Sequence, residues 1–301
     1  MRNSNEFDLF EIKISFETGS EKPSRIFKAM ADMIDAFNAI DKGLLSTFAV
    51  DIKPYMILDG IQTGSLKTLL HNSLTALDDS ALSELNWKKL IGSFLVKGKY
   101  RLLKYLEDKN EITHISQVRE IENEILLLAK ESGIQKLPIY LPVNSLKLLE
   151  GLSYLYNATT FLSSDDLASF ISNEGEILIN KRFNINTQTI EDLLTKETII
   201  NSTDMVLRIK KPDYLGVSMW DVQRGNKTVQ AKITDFEWLY RFQSRAFDIR
   251  PGDSIKAHVE IAIQYGYDNK ILKEHYNIKK IYDVIQSSKQ YQNSIFDTDE
   301  T

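Results

Sequence analysis

Short polar turns divide the stretch from Trp220 to Ile285 into a fixed series of strands, and this punctuation constrains the fold more than any other feature. The segments read MWDVQ, turn RGNK, TVQAKI, a short helical stretch TDFEWLYRFQ, turn RPGD, SIKAHVEIAIQY, turn GYDNK, and ILKEHYNIKKIYDVI. Gly, Asn and Pro supply the backbone conformations that tight turns need. The pattern predicts a small β-rich module, a sheet or partly closed barrel with one inserted helix.

Two local patterns add detail to this module. Apolar and polar residues alternate in SIKAHVEIAIQ, which predicts a half-buried strand. The residues expected to face the core are Ile255, Ala257, Val259, Ile261 and Ile263. Thr234 and Glu237 have the spacing of a capping box, which predicts that Thr234 begins the helix. The tail at 296–301, FDTDET, is acidic and expected to be frayed.

The N-terminal part has a different pattern. Apolar residues alternate through 7–17, which predicts a strand, and helical spacing follows from Pro23 to Gly43. The Asp-Gly pair at 59–60 is a favoured hairpin turn and predicts strands at 48–58 and 61–70 around it. This part is therefore predicted to be β-α-β-β.

From 80 to 172 the apolar spacing becomes helical. Four helices are predicted here. The first contains Trp87, the second ends at Gly133, the third begins after Asn144, and the fourth begins after Ser164, which is followed by two acids. Asn173-Glu174-Gly175 is the predicted domain boundary. The sequence thus predicts an α+β protein. Its first domain, 1–172, has a sheet at 7–70 and a helical bundle at 80–172, and its second, 173–301, is the β-rich module with the acidic tail.

Composition excludes several classes of chemistry. The chain has no cysteine, which removes disulfides, thiolate zinc sites, iron–sulfur ligation and cysteine nucleophiles. Its four histidines have no metal-ligand spacing, so no metal or other cofactor is expected. The N-terminus lacks the apolar run of a signal peptide, and no stretch is long and apolar enough for a membrane span. We therefore expect a cytoplasmic protein without a transmembrane span.

One pattern indicates metal-dependent catalysis. Asp221, Gln230 and Lys232 have the hairpin layout of a PD-(D/E)xK nuclease, and VQAK resembles the QxK variant of Mrr-like restriction nucleases. In such a site the carboxylate binds Mg²⁺ and the lysine steadies the attacking water. No second acid precedes Asp221, however, so metal ligation would depend on one carboxylate. The alternative interpretation is an amphipathic hairpin with solvated lysines.

A basic segment at 86–106 has two interpretations. It carries six positive residues without an acid between Glu84 and Glu107, namely Lys88, Lys89, Lys97, Lys99, Arg101 and Lys104. With aromatic residues interleaved, the segment could bind nucleic acid or an anionic surface. The alternative is a core helix with a solvated lysine face. Gly92 and Gly98 weaken a continuous helix here. The chain's net charge of −5 argues against a general nucleic-acid coat.

Two stretches resemble a bacterial two-domain family without an established activity. The first is EIKISFE…PSRIFKAMADMIDAFNAI followed by LDGIQTGSLKTLL, and the second is WDVQ…VQAKITDFEWL…RPGDSIKAHVEI…YNIKKIYDV. The recognisable points are Gly64-Ser65 and the turn Pro251-Gly252-Asp253. The resemblance implies a mobile-element or phage-defence setting, and it carries no catalytic residues to this chain.

The sequence as a whole favours a non-enzymatic binding component, and the resemblance implies that it belongs to a bacterial antiviral-defence or mobile-element system. A protein partner or self-association is expected, because exposed strand edges offer a means of association. Two alternatives stay open. One is the Mg²⁺-dependent nuclease, and the other is a nucleic-acid or anionic-surface binder that uses the 86–106 segment.

Overall fold

A computed structural model of the chain describes residues 9–16, 22–49, 51–62, 65–76, 87–134 and 141–287. The chain divides into two compact units, residues 1–194 and 195–301. Both helices and sheets are present, so the predicted α+β class is confirmed. The predicted frayed tail at 296–301 and Gly64 lie outside the described residues. Within the described ranges, no helix is both long and apolar enough to cross a membrane.

The first unit is a five-stranded antiparallel sheet packed with helices. Its strand order is β2-β3-β1-β4-β5. The alternating residues of β1 bury Phe10, Ile12 and Ile14. The elements are β1 (Leu9–Ser15), α1 (Ser24–Leu45), β2 (Ile52–Gln62), β3 (Leu66–Ala76), α2 (Trp87–Leu106), α3 (Ile115–Glu131), α4 (Ser145–Thr159), β4 (Leu167–Ser172), β5 (Gly175–Leu178) and α5 (Thr187–Leu194). The predicted β-α-β-β order is present, and two later strands complete the sheet.

These two later strands correct the predicted helix after Ser164 and move the division between the units. Asp166 accepts a hydrogen bond from the Ser163 amide at 2.7 Å and also binds Arg25 of α1, so the residues form a turn before β4. The predicted boundary at 173–175 is the turn of the β4–β5 hairpin, in which Ser172 pairs with Gly175. The units therefore divide at 194/195, because β4 and β5 belong to the first sheet.

The hairpin turn predicted at Asp59-Gly60 is also wrong. Gly60 lies inside β2, where the pairing with β3 shifts between Leu58 and Gly60, and the strand continues to Gln62. The shift is a β-bulge, which glycine accommodates easily. Asp59 stays in the strand and its carboxylate lies 2.5 Å from His71 Nδ1 of β3. That cross-strand contact replaces the predicted reversal of the chain.

Helix α2 is continuous through both of its glycines. An added Cβ at Gly98 would lie 2.7 Å from Leu44 Cδ1 of α1, so this glycine permits a close approach of the two helices. Packing thus outweighs the low helix propensity of glycine, a cost of about 1 kcal/mol. The sequence prediction that Gly98 weakens the helix missed this contact.

The second unit is a closed five-stranded barrel. Its elements are β6 (Thr195–Lys211), β7 (Trp220–Arg224), β8 (Lys227–Ile233), α6 (Phe236–Gln243), β9 (Ser254–Gly266) and β10 (Ile271–Ile285). The strand order around the barrel is β10-β8-β7-β6-β9. Only the β8–β10 pair is parallel among these neighbours. The predicted barrel and inserted helix are confirmed, as are the five core positions predicted along β9, of which Ile263 is partly buried.

Aromatic packing attaches helix α6 to the barrel core. The ring of Trp220 on β7 lies 6.0 Å from Trp238 and 5.2 Å from Phe242, both on α6. The helix is capped by Asp235, one residue after the predicted Thr234. Asp235 Oδ1 accepts from the Trp238 amide and Oδ2 accepts from the Ile281 amide of β10, so the cap also fixes a neighbouring strand.

The barrel strands differ greatly in length. Strands β7 and β8 have 5 and 7 residues, whereas β6, β9 and β10 have 17, 13 and 15. The longer strands therefore continue past their pairing with β7 and β8 as a three-stranded arm, made of residues 195–204, 258–266 and 271–275. In the arm, every residue of β6 from 196 to 204 is exposed.

A buried polar cluster connects three elements of the first unit. Lys99 Nζ of α2 lies 2.5 Å from Asp41 Oδ1 of α1, and both side chains are fully buried. In the amide orientation that satisfies both partners, Asn72 of β3 donates to Asp41 and accepts from Lys99, at 3.0 and 3.2 Å. Burial raises the pKa of Asp41 from 3.8 to about 6 and lowers the pKa of Lys99. The cluster fixes α1, α2 and β3 relative to one another.

Replacing one partner of this cluster should destabilise the first unit strongly. In Lys99→Met, Asp41 keeps a buried charge without its cation, and we expect a loss of about 3–5 kcal/mol in unfolding free energy. The double variant Asp41→Asn/Lys99→Met removes both charges and should recover most of that loss. Urea unfolding followed by circular dichroism measures both. Equal losses in the single and double variants would contradict the pairing.

The stability should also depend on pH through Asp41. Its folded pKa, about 6, lies above the ordinary 3.8, so the folded state retains a proton that the unfolded state loses. The contribution of Asp41 is fully present below pH 3.8 and is lost as pH rises through about 6. We expect the unfolding free energy of the wild type, relative to Asp41→Asn, to fall over that range. A difference that rises with pH would contradict the burial effect.

Candidate binding groove of the barrel

A groove opens in the barrel wall where β8 and β10 diverge. These strands pair only between residues 231–233 and 276–278, so their first halves separate. The groove has a volume of about 570 Å³. It is lined by Met219, by Lys227–Gln230 of β8 and by Ile271–Asn277 of β10. The short pairing therefore creates a concave surface on an otherwise closed barrel.

A chain of hydrogen bonds fixes one wall of the groove. Arg224 Nη1 donates to the Tyr276 hydroxyl at 3.1 Å, and that hydroxyl donates to Glu274 Oε2 at 3.2 Å. Lys227 Nζ lies 2.7 Å from the same carboxylate oxygen. The hydrogen bond from Lys227 holds the pKa of Glu274 below its ordinary value, and the pKa of Lys227 is raised in turn. Glu274 and Lys227 are thus ionised and paired with each other before any ligand binds.

The β6–β7 loop, residues 212–219, forms one end of the groove through Met219. Asp213 organises this loop: its carboxylate accepts from the amides of Leu215, Gly216 and Ser218 at 2.9–3.0 Å and from the Ser218 hydroxyl at 2.6 Å. These donors hold the pKa of Asp213 well below its usual range. A loop with this much internal hydrogen bonding presents a defined surface, and the Leu215 side chain at its tip is 96% exposed.

The β9–β10 turn forms the opposite end of the groove, because Ile271 and Leu272 follow it directly. The Gly266 amide donates to the Lys270 carbonyl at 2.9 Å and closes the turn. Asn269 adopts a positive φ of 58°, a conformation that asparagine tolerates better than most residues. Two ordered loops therefore bound the groove along its length.

The three residues of the nuclease hypothesis lie together on the outer surface of β7 and β8. Asp221 pairs with Gln230 across the strands, and the Gln230 amide donates to Asp221 Oδ1 at 3.4 Å. Lys232 is exposed on the same face, two residues further along β8. On its other side Asp221 pairs with Lys211, not with an acid. Asp221 is thus the only carboxylate that the nuclease hypothesis assigns to a metal. Among the described residues, no three or more His, Asp or Glu side chains lie close enough together to hold a metal ion.

The basic segment of α2 does not form one anion-binding face. Lys99 is buried in the core, so its assignment to an exposed binding face is wrong. Three of the others face acids: Lys97 lies near Glu174, Arg101 near Glu124 and Glu131, and Lys104 near Glu107. Lys88 is exposed and lies over the Trp87 ring, and Lys89 is partly buried. Most of these acids belong to α3 and to the β4–β5 turn, so the sequence of α2 alone concealed them.

Sequence reasoning missed the groove and the residues that order it. The parallel pairing of β8 and β10 joins residues about 45 positions apart, and no local pattern reports it. Asp213 did carry a signal, since an acid followed by glycine and serine is typical of side-chain-to-backbone turns. Its role could have been predicted, whereas the contact between Glu274 and Lys227 could not.

Comparison of the chain with models of known protein families finds no match, and a search of the curated proteins finds none either. The topology itself is informative. Numbered from β6, the strand order around the barrel is 1-2-3-5-4, the third and fifth strands are parallel, and the helix lies between the third and fourth. This is the arrangement of an OB-fold barrel. The groove lies between the third and fifth strands of that barrel, with its first and last loops at the two ends.

The order of the β6–β7 loop should depend on Asp213. In Asp213→Ala the amides of Leu215, Gly216 and Ser218 lose their acceptor, and we expect their hydrogen exchange to accelerate by roughly tenfold or more. Asp213→Asn keeps one acceptor oxygen and should give an intermediate rate. Hydrogen exchange by mass spectrometry measures this, with β9 as the internal control. Unchanged loop exchange in Asp213→Ala would show that other contacts order the loop.

Proposed function

We propose that this chain is a non-enzymatic binding protein whose barrel groove takes an extended, single-stranded nucleic acid. The observation that carries the proposal is the position of the groove, along the third strand of an OB-type barrel and between the loops that follow its first and fourth strands. Barrels of this topology bind oligonucleotides or oligosaccharides on the face of their second and third strands and through the same two loops. The groove shares the third strand and both loops with that position. The charges of the barrel support the same proposal.

Charge is distributed unequally between the two units. Residues 1–194 contain 21 Lys and Arg against 27 Asp and Glu, and residues 195–301 contain 16 against 15. Without the acidic tail, residues 195–287 contain 15 against 12. The chain's negative total therefore conceals a net positive barrel. Lys227 and Lys273 line the groove, and Lys232 is exposed further along β8. Cations along a groove favour a polyanionic strand, because phosphate contacts release condensed counterions.

The groove suits a single strand with its bases turned inward. Met219, Ile271 and Leu272 give it apolar surface that can contact base faces. Lys273 supplies a phosphate contact, and Lys227 supplies a second one when the phosphate displaces Glu274 from it. Tyr276 is only 3% exposed, so its ring is part of the groove wall and is not available to stack on a base. With few stacking groups, affinity should depend mainly on the phosphate contacts and fall steeply with salt.

Fluorescence anisotropy with labelled single-stranded DNA and RNA across a salt titration tests this proposal. We expect Lys227→Ala/Lys273→Ala to weaken binding at low salt by roughly tenfold or more and to reduce the salt slope by about one for each lost contact. Lys88→Ala is the matched control, since that exposed lysine lies on α2. Absence of binding at low salt would overturn the proposal, and a loss only in Lys88→Ala would favour the α2 interpretation.

The nuclease alternative is tested in the same assay. The close placement of Asp221, Gln230 and Lys232 supports it, and the single carboxylate weighs against it. Gels run after incubation with Mg²⁺ or Mn²⁺ show whether the oligonucleotide stays intact. Cleavage that disappears in both Asp221→Ala and Lys232→Ala would replace the binding proposal with a catalytic one. Intact substrate with binding retained supports a non-enzymatic protein.

The bacterial antiviral-defence or mobile-element setting stays a prediction that rests on the sequence resemblance. A protein that holds single strands is compatible with that setting, because invading and mobile elements expose single strands during replication and transfer. The setting assigns no residue of this chain a role. The expected self-association, in contrast, has a physical basis in the arm of the barrel.

A further inference from the structure

We propose that the outer edge of β6 in the arm pairs with the same edge of a second copy of this chain, giving a two-fold symmetric homodimer. Strand β6 pairs with β9 along one edge from Thr195 to Arg208. Its other edge pairs with β7 only over residues 208–211. Residues 196–204 are thus an edge strand in the described structure, and all nine are exposed.

Between its charged ends, Lys196-Glu197 and Asp204, this edge lacks the features that keep edge strands from pairing, and its one register shift lies at its start, between Thr195 and Glu197. The six residues from 198 to 203, TIINST, contain no charge and no proline, and four of them are β-branched threonine or isoleucine. Natural edges are usually protected by charge, proline, a bulge or short length. The two edges of the first sheet show such protection, because β2 contains Pro54 and a bulge at Gly60, and β5 has four residues. The β6 edge is therefore available for a partner strand.

The sequence of the edge indicates that the partner is a second copy. In an antiparallel pair centred on Ile200, residues whose numbers sum to 400 lie opposite each other. Lys196 then faces Asp204 of the partner subunit, Thr198 faces Ser202 of the partner subunit, and Ile200 faces Ile200 of the partner subunit. Opposite charges and matched apolar groups across a strand pair are both favourable. Moving the two-fold centre by one residue, to Ile199 or Asn201, separates Lys196 from Asp204 of the partner subunit.

The paired arms would form one continuous sheet. Within each arm β6–β9 and β9–β10 are antiparallel, so the dimer contains six antiparallel strands in the order β10-β9-β6-β6-β9-β10. Nine paired residues extend over about 30 Å at the rise of a β-strand. The contact is isologous, which closes the assembly at two copies. The proposal concerns a different edge of the arm from the groove and does not depend on nucleic-acid binding.

Sedimentation velocity over a concentration series tests the dimer with the full chain. Ile200→Lys places two like charges opposite each other at the two-fold axis, and we expect the dimer to be lost. Val206→Lys is the matched control, because Val206 lies on the same strand and face, is 54% exposed against 61% for Ile200, and falls outside the paired residues. It should dimerise as the wild type does.

Cysteine cross-linking tests the register independently of the stability of any one variant. The chain contains no cysteine, so Ile200→Cys introduces the only thiol in each subunit. Directly opposed residues in an antiparallel pair have Cα atoms about 4.5–5.5 Å apart, within the range that disulfides span. Oxidation should give a covalent dimer of Ile200→Cys and little of Val206→Cys.

Three results would overturn the proposal. The first is a wild type that stays monomeric at all concentrations together with no cross-linking of Ile200→Cys. The second is a dimer that persists in Ile200→Lys, which would place the interface elsewhere. The third is equal cross-linking of Ile200→Cys and Val206→Cys, which would contradict the register. Circular dichroism of each variant confirms that it is folded before its result is interpreted.

Discussion

The packing of Trp220 against Trp238 and Phe242 is the contact on which the second unit depends. It attaches α6 to the barrel core, and the helix in turn positions groups on both sides of it. At its end Gln243 donates to the Gly216 carbonyl at 2.6 Å and supports the β6–β7 loop, and at its start Asp235 binds β10. Removing a buried aromatic ring of this size generally costs about 3–5 kcal/mol. The loss would extend to the groove, because the loop at its end rests on the helix.

The unequal strand lengths explain both candidate binding surfaces of the barrel. Strands β7 and β8 are too short to accompany β6, β9 and β10 along their full length. Where β8 separates from β10, the barrel wall opens and forms the groove. Where β6 continues without β7 beside it, its backbone lies at an unpaired edge. One feature of the barrel thus leaves space for a ligand on one side of the arm and an open edge on the other.

Local patterns predicted the elements whose neighbours are close in sequence. The alternation along β9, the turn at Gly252 with its positive φ of 104° and the cap at Asn144 were all readable, since each depends on a few adjacent residues. The patterns failed where a distant residue decides the outcome. The helix predicted after Ser164 does not form, because Arg25, 141 residues before Asp166, binds Asp166 in the turn before β4. Lys99 is buried because it pairs with Asp41, which lies on another helix. The groove depends on the parallel pairing of β8 with β10, two strands that no turn connects directly.

The buried position of Lys99 gives the first unit an internal reporter of its own opening. An amine-reactive reagent reaches Lys88 and Lys104 on the surface of α2 directly, whereas Lys99 has no accessible area. Its amine becomes accessible when α1, α2 and β3 separate around the buried cluster. The labelling rate of Lys99, compared with that of Lys88 or Lys104 on the same helix, therefore measures how often the native unit opens in water, without denaturant and in a mixture as complex as a cell extract.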